Sequence, residues 1–415
     1  MGDRGAMPHG RPVPSVGRVI KISSRIVPAV VLALALPLTT AAVGAASPVA
    51  AADAGSSAIG TVFQLPSPTG AFAVGRNTLH LVDESRPDPW VTSDRRELMV
   101  SMYYPAHPGA GARARYATTE EIRLLLEGQE LAGLVPAEVL SATGTHSVVD
   151  AVPVEGSYPM VVLSPGFTAS RYTLTALAEE LAARGYVVAA VDHANESFGT
   201  EFPGGRMSTC LACGRTEDEG TLGVVTATRA ADVSFLLDRL TAPDSAWPHS
   251  RLIDRERIGM AGHSIGGAST AETMASDDRV RAGVNMDGSF HISMQPDGVK
   301  DRPFLMMGTD DEVHRPGGRD VSWDAAWSRL VGWKRWLTVA GAGHASFTDI
   351  PALAERLGMP VGAASPIGAA LPGGRSVDLT RVYVGAFFDQ HLRGVPQPIL
   401  DGPSPAYPEV RFNNP

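Results

Sequence analysis

The chain has 415 residues, 44% hydrophobic and 19% charged, an ordinary balance for a soluble protein with room for one large α/β domain. Its formal net charge of −9, with no lysine–arginine run and no aromatic ladder, argues against a nucleic-acid partner. Two cysteines are too few for a disulfide-dense scaffold, and no second pair is present to complete a four-ligand zinc site.

The first 52 residues read as a secretory signal peptide. Arg4, Arg11, Arg18, Lys21 and Arg25 make a basic start, Ile26 to Leu38 is almost wholly apolar, and Ala41 to Ala54 is rich in small residues. The apolar core is shorter than the ~20 residues of a spanning helix, and no basic stop-transfer cluster follows. Cleavage near Ala52 and export are therefore expected, rather than a retained membrane anchor. Residues 53–415 then form a single domain. No repeat of fixed period interrupts them.

Strand and helix patterns alternate from there. Leu98, Val100, Met102 and Tyr104 alternate along an early strand that ends at Pro105. Met160 to Leu163 is a continuous apolar run that stops at Ser164-Pro165-Gly166-Phe167. Leu174, Leu177, Ala178, Leu181 and Ala182 have helical spacing closed by Gly185, and Tyr186 to Val191 is the next buried strand. Residues 195–223 show no periodicity, which predicts a lid or binding loop. It contains Cys210 and Cys213, read as a local disulfide in an exported protein; the glycine-rich stretch before them does not suit a redox pair. Val233, Leu236, Leu237 and Leu240 mark another helix. Ile258 to Ala261, Val280 to Val284, Phe304 to Met307 and Trp336 to Val339 read as strands, and Thr380 to Leu392 as the last helix. Continuous apolar strands between helices predict a mostly parallel central sheet with helices on both faces.

Chemistry concentrates in Gly262-His263-Ser264-Ile265-Gly266, directly behind a buried strand and ahead of a helix. This is the context of a nucleophile elbow, where a serine sits on a strained turn that only flanking glycines allow. The Ile265 amide and the helix N-terminus then face the position of an oxyanion. A serine nucleophile needs a base. His344, on the glycine-rich loop after the last sheet strand, is placed for that role. His263 is expected to point away and pack, and His193, His291 and His314 to be polar residues at the rim. The orienting acid is either Asp287, at the end of one strand, or Asp310 or Asp311, at the end of the next.

Met102-Tyr103-Tyr104-Pro105-Ala106, Met160 to Phe167, Tyr186 to His193, the elbow, Met286-Asp287-Gly288 and His344 to Asp349 occur in an order that resembles the platelet-activating factor acetylhydrolase branch of the α/β-hydrolases. The matches run from about residue 98 to 349. The resemblance implies an α/β-hydrolase fold with Ser264, Asp287 and His344 as a triad, the acid being the aspartate of an Asp-Gly pair about two dozen residues after the serine. It also implies an oxyanion hole of the Phe167 and Ile265 amides. Pro165 departs from the family's usual histidine, and Ser164-Pro165-Gly166-Phe167 instead resembles secreted lipases and cutinase-like polyester hydrolases. The expected activity is an exported serine hydrolase of carboxylic esters acting on short-acyl lipid or phospholipid-type esters, with lipase or polyester hydrolysis as the alternative. A peptidase or a non-catalytic binding protein of the same fold is the remoter rival. No metal or cofactor is implied, no obligate protein partner is evident, and the substrate class allows transient contact with lipid surfaces.

Overall fold

The computed structural model describes residues 63–216, 220–359 and 370–414. The segment read as a signal peptide lies outside the described residues. In chain order the strands are β1 (Ala73–Pro87), β2 (Arg95–Ala106), β3 (Val148–Val149), β4 (Tyr158–Ser164), β5 (Val187–His193), β6 (Thr200–Phe202), β7 (Arg206–Ser208), β8 (Ile253–His263), β9 (Val280–Met286), β10 (Gly298–Asp301), β11 (Phe304–Thr309), β12 (Lys334–Val339) and β13 (Val410–Phe412). The helices are α1 (Thr119–Gly128), α2 (Ala137–Ser141), α3 (Thr175–Ala183), α4 (Thr221–Thr241), α5 (Ile265–Ser276), α6 (Val321–Arg329), α7 (Ile350–Arg356) and α8 (Gly373–Arg393).

Ten strands form one sheet in the order β13-β12-β11-β9-β8-β4-β5-β2-β1-β3. From β12 to β5 every neighbouring pair is parallel. The long β1–β2 hairpin and β13 add antiparallel edges. The apolar runs in the central strands have a simple cause. Val161 and Leu163 of β4 pack with α3 and α8, whereas Met160 and Val162 pack with α4, α5 and α6. A strand covered on both faces must be apolar at every position, and each fully buried valine or leucine contributes roughly 1.5–3 kcal/mol. The chain has the α/β-hydrolase fold, as expected.

The stretch from 195 onward is more ordered than its lack of periodicity suggests. β6 and β7 form a two-stranded hairpin, Cys210 and Cys213 are disulfide-bonded with their Cα atoms 5.3 Å apart, and α4 begins at Thr221. The first half of α4 escaped the apolar pattern because its buried face carries Thr226, Arg229 and Asp232. Thr226 donates to Leu222 O within the helix, whereas Arg229 and Asp232 are satisfied by partners far away in sequence. Among the described residues no helix is long and apolar enough to cross a membrane.

Candidate active site

The parallel strands deliver their C-terminal ends to one rim. Between β8 and α5, Ser264 has φ 56° and ψ −128°, a left-handed-side conformation that costs a non-glycine residue about 1–3 kcal/mol. The turn is held by Ser264 N–H donating to Met286 O at 2.8 Å and by Gly267 N–H donating to Ser264 O at 2.8 Å. A Cβ on Gly262 would lie 2.1 Å from the Gly266 carbonyl carbon, and one on Gly266 would lie 2.2 Å from Ser164 O. The two glycines are thus required by close backbone approach.

Asp287, immediately after β9, is 2% exposed and also has positive φ. Its Oδ2 lies 2.6 Å from His344 Nδ1. Its Oδ1 accepts from Thr309 N at 2.9 Å and Thr309 Oγ1 at 3.1 Å, and lies 2.9 Å from His314 Nδ1. Burial alone would push this carboxyl up; hydrogen bonds from His314 and His344 outweigh it and hold it well below the usual carboxylate range. Asp310 instead pairs with Arg411 at 2.9 Å, and Asp311 accepts from the amides of Val313 and His314. Neither bonds to His344. The two carboxylates order the surface turn after β11.

His344 sits on a short 3-10 turn after β12, its side chain 56% exposed. Its carbonyl lies 2.7 Å from His263 Nε2, and the two imidazole rings pack with centroids 4.7 Å apart. His263 is therefore a packing residue, but one that holds the loop of His344. Burial first, and the neighbouring His344 second, push His263 down to about 3, so it stays neutral and donates to that carbonyl. Among the described residues Ser264 Oγ is not hydrogen-bonded to His344.

The amides of Phe167 and Ile265 donate no hydrogen bond among the described residues. What orients the first of them comes from the buried polar face of α4. Arg229 donates through Nη1 to Pro165 O and lies 3.5 Å through Nη2 from Gly166 O. In a trans peptide the carbonyl and the next N–H point opposite ways, so drawing Gly166 O toward Arg229 turns the Phe167 N–H outward. Arg229 is itself paired with Glu196 at 2.7 Å; Glu196 also meets Arg96 at 2.8 Å, which meets Asp88 at 2.9 Å and Asp232 at 2.7 Å. His193, fully enclosed here, bridges Asp232 at 2.8 Å and Ser164 Oγ at 3.1 Å. It belongs to the interior and not to the rim, because its partners lie beneath the sheet ends. Replacing Arg229 by lysine keeps a charge beside Glu196 but loses the fork. We expect Arg229→Lys to lower kcat about 10²-fold with KM nearly unchanged, the size of losing one oxyanion donor. A folded Arg229→Lys protein with parental kcat would show that the loop needs no such anchor.

His314, expected at the rim, is instead 6% exposed and lies against Asp287. Sequence offered a faint signal for it, since it follows the acidic turn after β11. Only the packing shows which carboxylate it faces. His291 is exposed, as expected of a rim residue.

A protein-family model described as platelet-activating factor acetylhydrolase, isoform II, matches residues 61–202 and 249–361. The unmatched interval 203–248 carries the disulfide, Arg229 and Asp232. The chain is 30% identical over 394 residues to a probable 1-alkyl-2-acetylglycerophosphocholine esterase of Arthroderma benhamiae, covering 87% of this chain and 96% of that one. It is 28% identical over 168 residues to a bis(hydroxyethyl) terephthalate hydrolase of Streptomyces coelicolor, covering 39% and 42%. Among solved structures, a ferulic acid esterase from Streptomyces cinnamoneus superposes with a TM-score of 0.75 at 43% identity, covering 85% of this chain and 99% of that chain.

Proposed function

Since the chain belongs to the platelet-activating factor acetylhydrolase isoform II family and is a carboxylic ester hydrolase, we propose that it works through Ser264, His344 and Asp287. The observation that carries this reading is the 2.6 Å contact of His344 with a buried Asp287 beside a serine on a positive-φ elbow. His344 Nε2 takes the Ser264 proton as Oγ attacks the ester carbonyl, and Asp287 stabilises the imidazolium. The Phe167 and Ile265 amides receive the oxyanion, where the N-terminus of α5 adds its positive potential. The alcohol leaves with the proton returned by His344, and water then resolves the acyl-enzyme by the same steps in reverse.

The protein is read as exported, with residues 1–52 removed and residues 53–415 as one catalytic domain. The disulfide, for which an oxidising compartment is the natural setting, supports this. The short-acyl or phospholipid-type ester remains the first substrate reading, supported by the fungal relative. The 43% identity to a ferulic acid esterase and the match to a terephthalate hydrolase favour a second, an ester of an aromatic acid. Residues 195–223 are read as bordering the substrate entrance. Cys210 and Leu222 pack in one apolar cluster with Phe167, Ile265 and Trp90, whereas Phe202 is spent on the core beside Met99. A panel of p-nitrophenyl esters of rising acyl length, run beside an acetylated phospholipid, methyl ferulate and a peptide anilide, tests the substrate readings. Preference for the peptide overturns the function. An unchanged profile in the Cys210→Ser, Cys213→Ser double variant removes the loop from substrate choice.

A further inference from the structure

Asp287 is gripped from two sides. His344 takes Oδ2, and His314 takes Oδ1 at 2.9 Å from a site that faces the interior. The other nitrogen of His314, Nε2, lies 3.4 Å from Asp320 Oδ2 and 3.2 Å from Ser289 Oγ. Asp320 Oδ2 is buried without a hydrogen-bond partner, so a neutral ring donating to Asp287 would turn the Nε2 lone pair toward an uncompensated carboxylate; the imidazolium instead sets its charge between the two. The ring is fixed in that pose. It stacks on Trp323 with centroids 4.8 Å apart at 29°, its carbonyl accepts from Trp336 Nε1 at 3.1 Å, and a Cβ on Gly308 would lie 3.1 Å from its own Cβ. Asp320 is fixed in turn, accepting from Ser322 N at 2.9 Å ahead of α6. The charged groups facing the ring are thus Asp287 after β9 and Asp320 before α6, with His344 beyond Asp287 and Asp311 on the backbone amide of His314.

On this geometry, and resting on the triad reading above, we propose that His314 is a positioning residue: a buried imidazolium that braces Asp287 from behind and sets the pH at which His344 can serve as base. A permanent cation on Oδ1 keeps the carboxylate ionised and aimed. It also opposes a second positive charge on the neighbouring His344. Burial opposes charge on His314, but the hydrogen bond to Asp287 and the facing carboxylate of Asp320 prevail and raise it to about 9. The brace therefore persists across neutral pH.

The test is the pH dependence of kcat/KM on a short p-nitrophenyl ester for the parent, His314→Asn and Ser264→Ala. Asparagine keeps a neutral donor near the Nδ1 position, and removing the cation leaves Asp320 behind. Both changes favour a proton on His344, so the acid limb should move up by about one pH unit. A purely structural role would lower the plateau and leave the limb where it was. Histidine 15N spectra of the parent protein at pH 7.5 should show one ring protonated at both nitrogens, a signal that serves equally if His314→Asn does not fold. An unmoved limb beside an inactive Ser264→Ala, or a parent spectrum with no imidazolium at pH 7.5, overturns this assignment alone. An active Ser264→Ala overturns the triad and this assignment with it.

Discussion

Ser264→Ala should abolish ester hydrolysis, with kcat/KM falling about 10⁴-fold or more, while the thermal transition stays within a few degrees of the parent. The asymmetry follows from where the residue sits. Its backbone holds a strained turn through Met286 O and Gly267 N–H, and both bonds survive a change of side chain. Alanine carries no more Cβ than serine does, so the close approach of Gly262 to Gly266 is undisturbed. What disappears is the oxygen that forms the acyl-enzyme, leaving only binding and oxyanion stabilisation of a water attack. An organophosphonate probe should label the parent at Ser264 and the variant nowhere. Residual activity within tenfold of the parent, or labelling at another serine, would remove Ser264 from the mechanism.

Asp287→Asn should act on catalysis and stability together. The amide would hold the wrong tautomer of His344 toward Ser264, and kcat should drop about 10³–10⁴-fold. It would also strip His314 of a carboxylate in a site that is almost dry, so the folded state should weaken as well. The pH dependence carries a sign. Asp287 titrates in the folded protein below its unfolded value of about 3.9, so it adds stability above that pH and loses it as pH falls through the folded-state value. His314 works in the opposite direction: raised to about 9 from about 6.5, it adds stability below pH ~6.5 that drains as pH rises toward 9. Asp287→Asn should flatten both slopes, measured as denaturant midpoints from pH 3 to 9. Asp310→Asn and Asp311→Asn, which touch only Arg411 and local amides, should leave kcat within about threefold. If either of these matched Asp287→Asn in its loss of kcat, the acid would have to be reassigned.

Local chemistry made much of this protein legible from its residues. Six parallel strands, buried on both faces, could only be written as apolar runs, and glycines at 262 and 266 are demanded by backbone contacts near 2 Å. The tightness of that turn points to Ser264 from local chemistry alone, whereas the acid stays open among Asp287, Asp310 and Asp311 until the resemblance to the acetylhydrolases, with their Asp-Gly pair, selects Asp287. The edges were harder to read. β1 buries Gly75, Arg76 and Asp83, which breaks its apolar alternation, and β13 is three residues long, so neither carries a strong periodic signal. Helix α4 hid for a different reason. Arg229 and Asp232 look solvated in a sequence, yet they are buried because Arg96, Glu196 and His193 arrive from β2 and from the end of β5 to neutralise them. His314 is the same case at the rim of the site, since a histidine has no pattern that tells a solvent partner from a buried carboxylate. Sequence by itself determined where the chain turns and which residues line the ends of the strands, because those are short-range steric and burial demands. Only the tertiary structure decided which charges meet, because pairing depends on distances between segments remote in sequence, as when Arg96 closes on Asp232, 136 residues away, at 2.7 Å.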